Sequence, residues 1–302
     1  MKKTVKWICL SLISLILVAG IAVGAETFWY YPHAVKYKRE YVAARQNTDE
    51  IRVMSCNLRC VTPLDFGKKS WFYRADLIFR NIEKENPGII GFQEATKMQY
   101  QYMCDTLSGY DSVITYRDQS VIAEGCPIFY RTDLYDLIDK GSFWLSETPD
   151  VMSKDWNSAC YRVCSYVILA EKASGKQFVV FNTHLDHISD EARINGIAVV
   201  LDKIEQFGSL PSMIMGDFNA AEGSQTYISA TENFLDAKHQ TENTMEYCTY
   251  EGFGEALDGK AIDHLMISKT GFAVASYKVV TDTYDGVYPS DHFQLSVVLT
   301  LS

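Results

Sequence analysis

Four short segments late in the chain set Asp, His and Asn against apolar, strand-like runs: Asn182-Thr183-His184, Gly216-Asp217-Phe218-Asn219, Ile262-Asp263-His264 and Ser290-Asp291-His292. The first follows Phe178-Val179-Val180-Phe181 and the second Met213-Ile214-Met215. Two earlier runs end the same way, at Cys56-Asn57 and at Gln93-Glu94. Beyond the strand ends of an α/β sheet the backbone stops and polar side chains can converge. Each of the six segments therefore reads as the end of a strand. Together they carry carboxylates, amides and imidazoles but no nucleophilic Ser or Cys motif, which points to metal-assisted hydrolysis.

Phosphate ester hydrolysis needs charge neutralised on the phosphoryl oxygens, an oriented water and a stabilised leaving oxygen. Glu94 ends a fully apolar run, where an unpaired carboxylate is costly, and is the leading metal ligand. Asn57 and Asp291 are expected to complete the shell. These oxygen donors suit Mg²⁺ or Mn²⁺, and no thiolate cluster or paired His with zinc spacing is present. Asp217 and Asn219 are two apart, so in extended backbone they share a side. One can orient water while the other donates to a phosphate oxygen, although Gly-Asp-x-Asn alone also fits an Asx turn. His292 and Asp263 read as a coupled imidazole–carboxylate pair, and His184 as a group set against the phosphoryl oxygens. Tyr130 and Arg162 are candidate substrate contacts and equally ordinary sheet residues. His187 and His264 adjoin site residues in supporting positions. Phe143-Trp144 and Trp156 could form an aromatic wall for substrate, and Arg193 is expected to pack near Asp186.

The set resembles the endonuclease/exonuclease/phosphatase superfamily of metal-dependent phosphoesterases with a DNase-type fold. Matching positions run in that family's order: Asn57, Glu94, His184, Asp217 with Asn219, Asp263, then Asp291 with His292. The resemblance covers roughly residues 50–300 and implies a four-layer α/β/β/α sandwich of two mixed, mainly antiparallel sheets flanked by helices. Segments 143–150 and His184-Leu185-Asp186-His187 resemble a bacterial branch. One departure stands out. Members that act on DNA often carry an acidic residue two after the matching Asn, where this chain has Arg59.

The elements that must position these residues are legible by period. Ala75, Ile78, Phe79 and Ile82 mark a helix that ends before Pro87. A second helix runs from Ser189, as N-cap, to Gln206, with Ile194, Ile197, Ala198 and Leu201 as its buried stripe. A third spans about Thr96 to Leu107. Between them, segments 111–116, 126–130, 137–145, 160–170 and 176–182 read as strands. Consecutive strands without helices pair antiparallel, and helices on either side make a layered α/β domain.

The amino terminus differs. Lys2, Lys3 and Lys6 precede an uncharged run from Ile8 to Ala25, the pattern of an export signal or an uncleaved anchor. The expected organisation is a signal or anchor over 1–25, a stalk over 26–49 and the phosphoesterase domain over 50–302. The domain would lie outside the cytoplasm, secreted or held at the outer face of the cell membrane. All 38 acidic residues but only 25 of the 28 basic ones lie beyond residue 25, which leaves that part at −13. A polyanion such as duplex DNA is disfavoured by that charge. A small or lipid-borne phosphoester is therefore the expected substrate. A secreted endonuclease, a sphingomyelinase-like lipid phosphodiesterase and a non-catalytic binding module are the alternatives. Beyond Cys9 seven cysteines remain, an odd number without a Cys-x-x-Cys, and most of them read as small buried hydrophobes.

Overall fold

The computed structural model describes residues 2–36, 41, 43–44 and 49–301; residues 37–40, 42 and 45–48 of the expected stalk lie outside them. Helix α1 (Lys2–Lys36) contains Thr4–Gly24, 21 residues of mean hydropathy 2.5, long and apolar enough to cross a bilayer and exposed along its length. It continues past Ala25.

Two sheets form the domain. The seven-stranded sheet runs β12 (Thr244–Met245), β14 (Phe272–Val280), β15 (Gln294–Leu301), β1 (Ile51–Asn57), β2 (Ile89–Gln93), β6 (Ile128–Arg131), β4 (Tyr110–Val113). The six-stranded sheet runs β11 (Phe234–Asp236), β13 (Asp263–Ser268), β10 (Ser212–Asp217), β9 (Gln177–His184), β8 (Val163–Glu171), β7 (Tyr135–Trp144). A small ribbon pairs β3 (Ala95–Thr96) with β5 (Glu124–Gly125). Helices α2 (Trp71–Glu85) and α3 (Lys97–Thr106) cover the first sheet; α4 (Asp190–Glu205) and α5 (Gln225–Asn233) cover the second. The expected four-layer sandwich is the fold.

Period-two alternation decides which side chain enters which layer. On β1, Ile51 and Val53 face the inter-sheet core with Val180, Met213, Leu265 and Val297. Met54 and Cys56 face the other way, onto Ile78, Phe79 and Ile82 of α2. On β9 and β10, Val179, Phe181 and Ile214 pack on Ile197, Val200 and Ile204 of α4. Each set of buried aliphatic and aromatic side chains is worth roughly 1.5–3 kcal/mol per residue before the entropy cost.

The α4 stripe is phased differently from its expectation. Ala192, Gly196, Ile197, Val200 and Ile204 are buried, whereas Ile194 and Leu201 are half-buried and Ala198 is exposed. The small residues set the phase: a Cβ at Gly196 would lie 3.5 Å from Leu145 and 3.6 Å from Leu185, so the helix seats against both. Of the cysteines, Cys56, Cys126, Cys164 and Cys248 are buried, but Cys60 and Cys160 are only half-buried and none is bridged. Cys160 precedes β8 rather than standing within it.

Candidate active site

The inner face of both sheets turns polar at one end. On β1 the inward series Ile51, Val53 continues as Ser55, Asn57; on β9, Phe178, Val180 continues as Asn182, His184; on β10, Met213, Met215 ends at Asp217. β1 and β2 are parallel, as are β9 and β10, so their carboxyl ends lie side by side: Asn57 opposite Gln93, and His184 opposite Asp217. Asp263 pairs with Asp217 across an antiparallel neighbour. It therefore opens β13, and Asp291 and His292 precede β15; these three stand at strand starts, a correction to the uniform strand-end expectation. Antiparallel neighbours bring their amino ends to the carboxyl ends of the parallel pairs.

Local backbone finishes the placement. Arg59, Glu94 and Asn219 are non-glycine residues at φ of +54°, +59° and +48°. Such strain is held only where surroundings over-determine it, and it clusters at functional sites. Gly216 has φ +143°, and a Cβ there would sit 1.9 Å from Thr183 O, so the Gly of Gly-Asp-x-Asn lets β9 approach. Asn219 is not extended. Asp217 Oδ1 accepts from Asn219 N–H at 2.8 Å in an Asx turn, and this turn carries Asn219 Nδ2 to His184 Nε2 (2.9 Å) and Leu185 O (3.1 Å). Turn and site are the same structure.

Hydrogen bonds tie the ends together. Asn57 Nδ2 donates to Glu94 Oε1 at 3.3 Å and to Asp217 Oδ2 at 3.0 Å. Cys60 N–H donates to Glu94 Oε2 at 2.8 Å. Asp263 Oδ2 lies 2.8 Å from His292 Nδ1, while His292 Nε2 is 3.8 Å and His184 Nε2 3.4 Å from Asp217 Oδ2. Ser290 Oγ donates to Asn57 O at 2.7 Å, joining the loop of Asp291 to β1. Arg74, fully buried, donates to Leu58 O, Arg59 O and Pro289 O and locks the same two loops.

The electrostatics follow from burial and company. Burial disfavours a charged His292, but Asp263 and Asp217 outweigh it and raise the imidazole well above its usual range. His184 is held well below that range by burial, Arg162 and His292, and is neutral. Burial and Asp263 push Asp217 up to about 7, against the pull of His292. Burial raises Asp291 as well, with Glu94 adding repulsion. Glu94 ends below its ordinary value because the Cys60 N–H, His292 and Asn57 overcome its burial.

Glu94, His184, Asp217, Asn219, Asp291 and His292 line one cavity of about 410 Å³. Asn57 and Asp263 bond into it. Arg162 lines it too, 5% exposed, with Nη2 3.0 Å from His187 Nδ1. Tyr130 does not. It lies in the inter-sheet core, its hydroxyl 3.1 Å from Asp111, opposite Ile89 at the far end of β2. Phe143 is core, Trp144 Nε1 donates to Arg117 O, and Trp156 lines a different hollow, so none of the three walls this cavity. His264 Nε2–H donates to Ala220 O at 2.8 Å, and Arg193 donates to Asp186 O as expected. Arg117, Glu124, Cys60, Cys160 and Tyr250 also line the cavity and had no motif to mark them. Arg59 lines it as well, forked on Asp65 at 2.9 and 3.1 Å and 3.6 Å from Asp291.

Two donor sets could hold a divalent cation. Asp217, Asp263 and His292 present ligand atoms within 4.8 Å of one another, but the short His292–Asp263 bond already spends two of them. On the other flank stand Asn57, Glu94 and Asp291, all oxygen donors. Three buried carboxylates, Asp217, Asp263 and Asp291, and the half-buried Glu94 face one cationic imidazole and a guanidinium shared with Asp65, while Arg117 and Arg162 are paired with carboxylates of their own, so the excess of negative charge suits a hard dication.

A family model described as Endonuclease/Exonuclease/phosphatase family matches residues 54–292. The chain belongs to that family. Its members are divalent-metal-dependent hydrolases of phosphate esters, and so is this protein. An endonuclease/exonuclease/phosphatase family protein of Bacteroides thetaiotaomicron is 34% identical, TM-score 0.80, covering 84% of this chain and 98% of its own. A mannosyl-6-phosphatase of the same organism is 34% identical, TM-score 0.77, covering 83% of this chain and 100% of its own. An uncharacterised protein of Acanthamoeba polyphaga mimivirus is 29% identical over 76% of this chain and 91% of its own. The Ccr4 exoribonuclease subunit of Schizosaccharomyces pombe is 23% identical, and the match spans only 33% of its length.

Proposed function

We propose that this family member is an exported, Mg²⁺- or Mn²⁺-dependent phosphomonoesterase for small, soluble phosphate esters. One observation carries the choice of ester: where DNA-acting members often add a carboxylate, this chain sets the Arg59 guanidinium in the cavity lining, 3.6 Å from Asp291, with His187 lining the same cavity. A guanidinium can fork onto two oxygens of a terminal phosphate. The 34% identity to a mannosyl-6-phosphatase supports the same choice. Export rests on Lys2, Lys3 and Lys6 ahead of the uncharged run that opens at Ile8 within the long apolar helix.

Asn57, Glu94 and Asp291 are the proposed metal ligands. The bound dication would neutralise phosphoryl charge and stabilise the leaving oxygen. Asp217, oriented by Asn57 and the Asn219 N–H, accepts a proton from the attacking water. Asn219 and His184 sit against the phosphoryl oxygens. His292, held cationic by Asp263, donates toward the charge that builds in the transition state.

A panel of p-nitrophenyl phosphate, bis-p-nitrophenyl phosphate, duplex DNA and sphingomyelin tests this. Monoester hydrolysis should dominate, stop in chelator and return with Mg²⁺ or Mn²⁺; a diester or DNA leading by a wide margin refutes it.

A lipid-borne ester is the second reading. Beyond α1 the four most exposed large apolar side chains among the described residues are Val121 (90%), Leu64 (78%), Ile122 (72%) and Ile188 (66%). All sit on loops that carry cavity residues, beside Glu124, Cys60 and His187. Faster turnover of a phosphoester in vesicles than in solution would favour it.

A further inference from the structure

We infer that Arg117 and Glu124, with Arg162, form a second subsite that reads hydroxyl groups on the leaving group, so that the substrate class is a sugar or polyol phosphate. The inference rests on the phosphomonoesterase reading above and adds the identity of the group released.

Placement comes first. β2 runs into Glu94 and directly on into β3, whose Thr96 pairs with Glu124 in β5. The ribbon therefore fixes Glu124 beside the strand end that supplies a proposed metal ligand. Arg117 N–H donates to Glu124 O at 2.8 Å, and Trp144 Nε1 donates to Arg117 O at 2.9 Å. Both ends of segment 117–124 are thus held by backbone bonds, and the pair is preorganised.

The chemistry comes second. Arg117 Nη1 meets Glu124 Oε2 at 2.6 Å, and both line the cavity that holds Asp217 and His292. The Nε atoms of Arg117 and Arg162 are buried and make no hydrogen bond; the nearest carboxylate oxygens, on Asp118 and Asp186, stand at 3.6 Å. These nitrogens lie behind the cavity wall, so a ligand would meet each guanidinium at its terminal nitrogens. A hydroxyl both donates and accepts. Arginine donors beside a carboxylate acceptor match a run of hydroxyls. They do not match the alternatives. A second phosphate would be repelled by Glu124, and an apolar lipid body would leave this polar wall unpaired. The cavity of about 410 Å³ suits a small ligand.

The test is a selectivity ratio: kcat/KM for mannose 6-phosphate divided by kcat/KM for p-nitrophenyl phosphate, which has no hydroxyls on its leaving group. Glu124→Gln and Arg117→Gln should each lower this ratio by about 10- to 100-fold, the loss of one charged hydrogen bond. A ratio unchanged within about 2-fold, with parallel losses or with none, overturns the subsite, because the residues then serve the phosphate or the fold. Wild-type protein inert on both esters would refute the phosphomonoesterase reading by itself. The subsite is then judged by calorimetric binding of mannose 6-phosphate against inorganic phosphate. Preference for the sugar phosphate that is lost in Glu124→Gln supports it; no preference, or one that survives the substitution, overturns it.

Discussion

Asp217→Asn should make the chelated protein more stable at high pH and nearly inactive. Asp217 is 1% exposed, faces Asp263 across paired strands, and titrates near 7 instead of 3.8. That difference makes its charged form about 4 kcal/mol costlier in the folded than in the unfolded chain, at about 1.4 kcal/mol per tenfold in acidity. The sign follows from a raised carboxyl: the cost is complete above pH 7, shrinks as the folded form takes up its proton below 7, and vanishes near pH 4. An amide removes it at all pH. The new amide keeps one oxygen for the Asn219 N–H but turns N–H toward Asn57 Nδ2, 3.0 Å from the present oxygen, and forfeits a hydrogen bond of about 1–2 kcal/mol. The net gain is about 2–3 kcal/mol at pH 8.5, a rise in Tm of roughly 4–12 °C, and close to zero at pH 5. Unfolding of the chelated protein at both pH values measures it, with kcat in parallel, where a loss of about 10²–10⁴ is expected. A variant less stable than wild type at pH 8.5, or equally stabilised at both, refutes the electrostatic account. Full activity would show that another group accepts the proton.

Three further outcomes are expected. Glu94→Gln should abolish the rise in Tm on adding Mg²⁺ or Mn²⁺ and lower kcat/KM by on the order of 10² or more; an undiminished metal-induced shift would mean that Glu94 is not a ligand. Asp263→Asn removes the main support for the His292 cation, so the imidazole loses its proton at lower pH and the alkaline limb of the kcat/KM profile moves down; a limb that stays in place argues that His292 does not set it. Asp186 accepts from Ser158 Oγ and from the N–H groups of Ala159, Ile188 and Ser189, which holds its carboxyl well below the usual range despite burial. Asp186→Ala should therefore cost about 3 kcal/mol or more at pH 7, and the difference from wild type should begin to narrow only as pH falls below about 4, toward the depressed range of the folded carboxyl, which urea titrations at several pH values can check.

The layering was legible because strands and helices advertise different periods. The helix around Ala75–Ile82 emerges as α2 with the expected side buried, since its large apolar residues lie on one face. The helix from Ser189 does not, because apolar residues occupy more than one of its faces and the buried phase is chosen by two small ones, Ala192 and Gly196. Side-chain hydrophobicity ranks Ile194 above Gly196; close approach to Leu145 and Leu185 ranks them the other way.

The site shows the same division. Asn57, His184 and Asp217 are legible because each extends an apolar period-two series past its end, and the inward face continues unchanged into the polar zone. Tyr130 and Arg162 look alike in sequence, each a polar group beside an apolar strand. Sheet direction separates them. β6 runs antiparallel to β2 with Tyr130 opposite Ile89, so Tyr130 sits at the end away from Glu94. β8 runs antiparallel to β9 with Cys164 opposite Thr183, so Arg162 arrives at the His184 end. Direction is a property of pairing, which is set by contacts distant in sequence and leaves no mark on either strand alone. Arg117 and Glu124 were harder still. Glu124 opens a two-residue ribbon strand too short to show any period, and Arg117 is placed by a bond to Trp144, 27 residues away. Residues that hold charge at a strand end can be read from one segment; residues that shape what the charge acts upon are assembled by the fold.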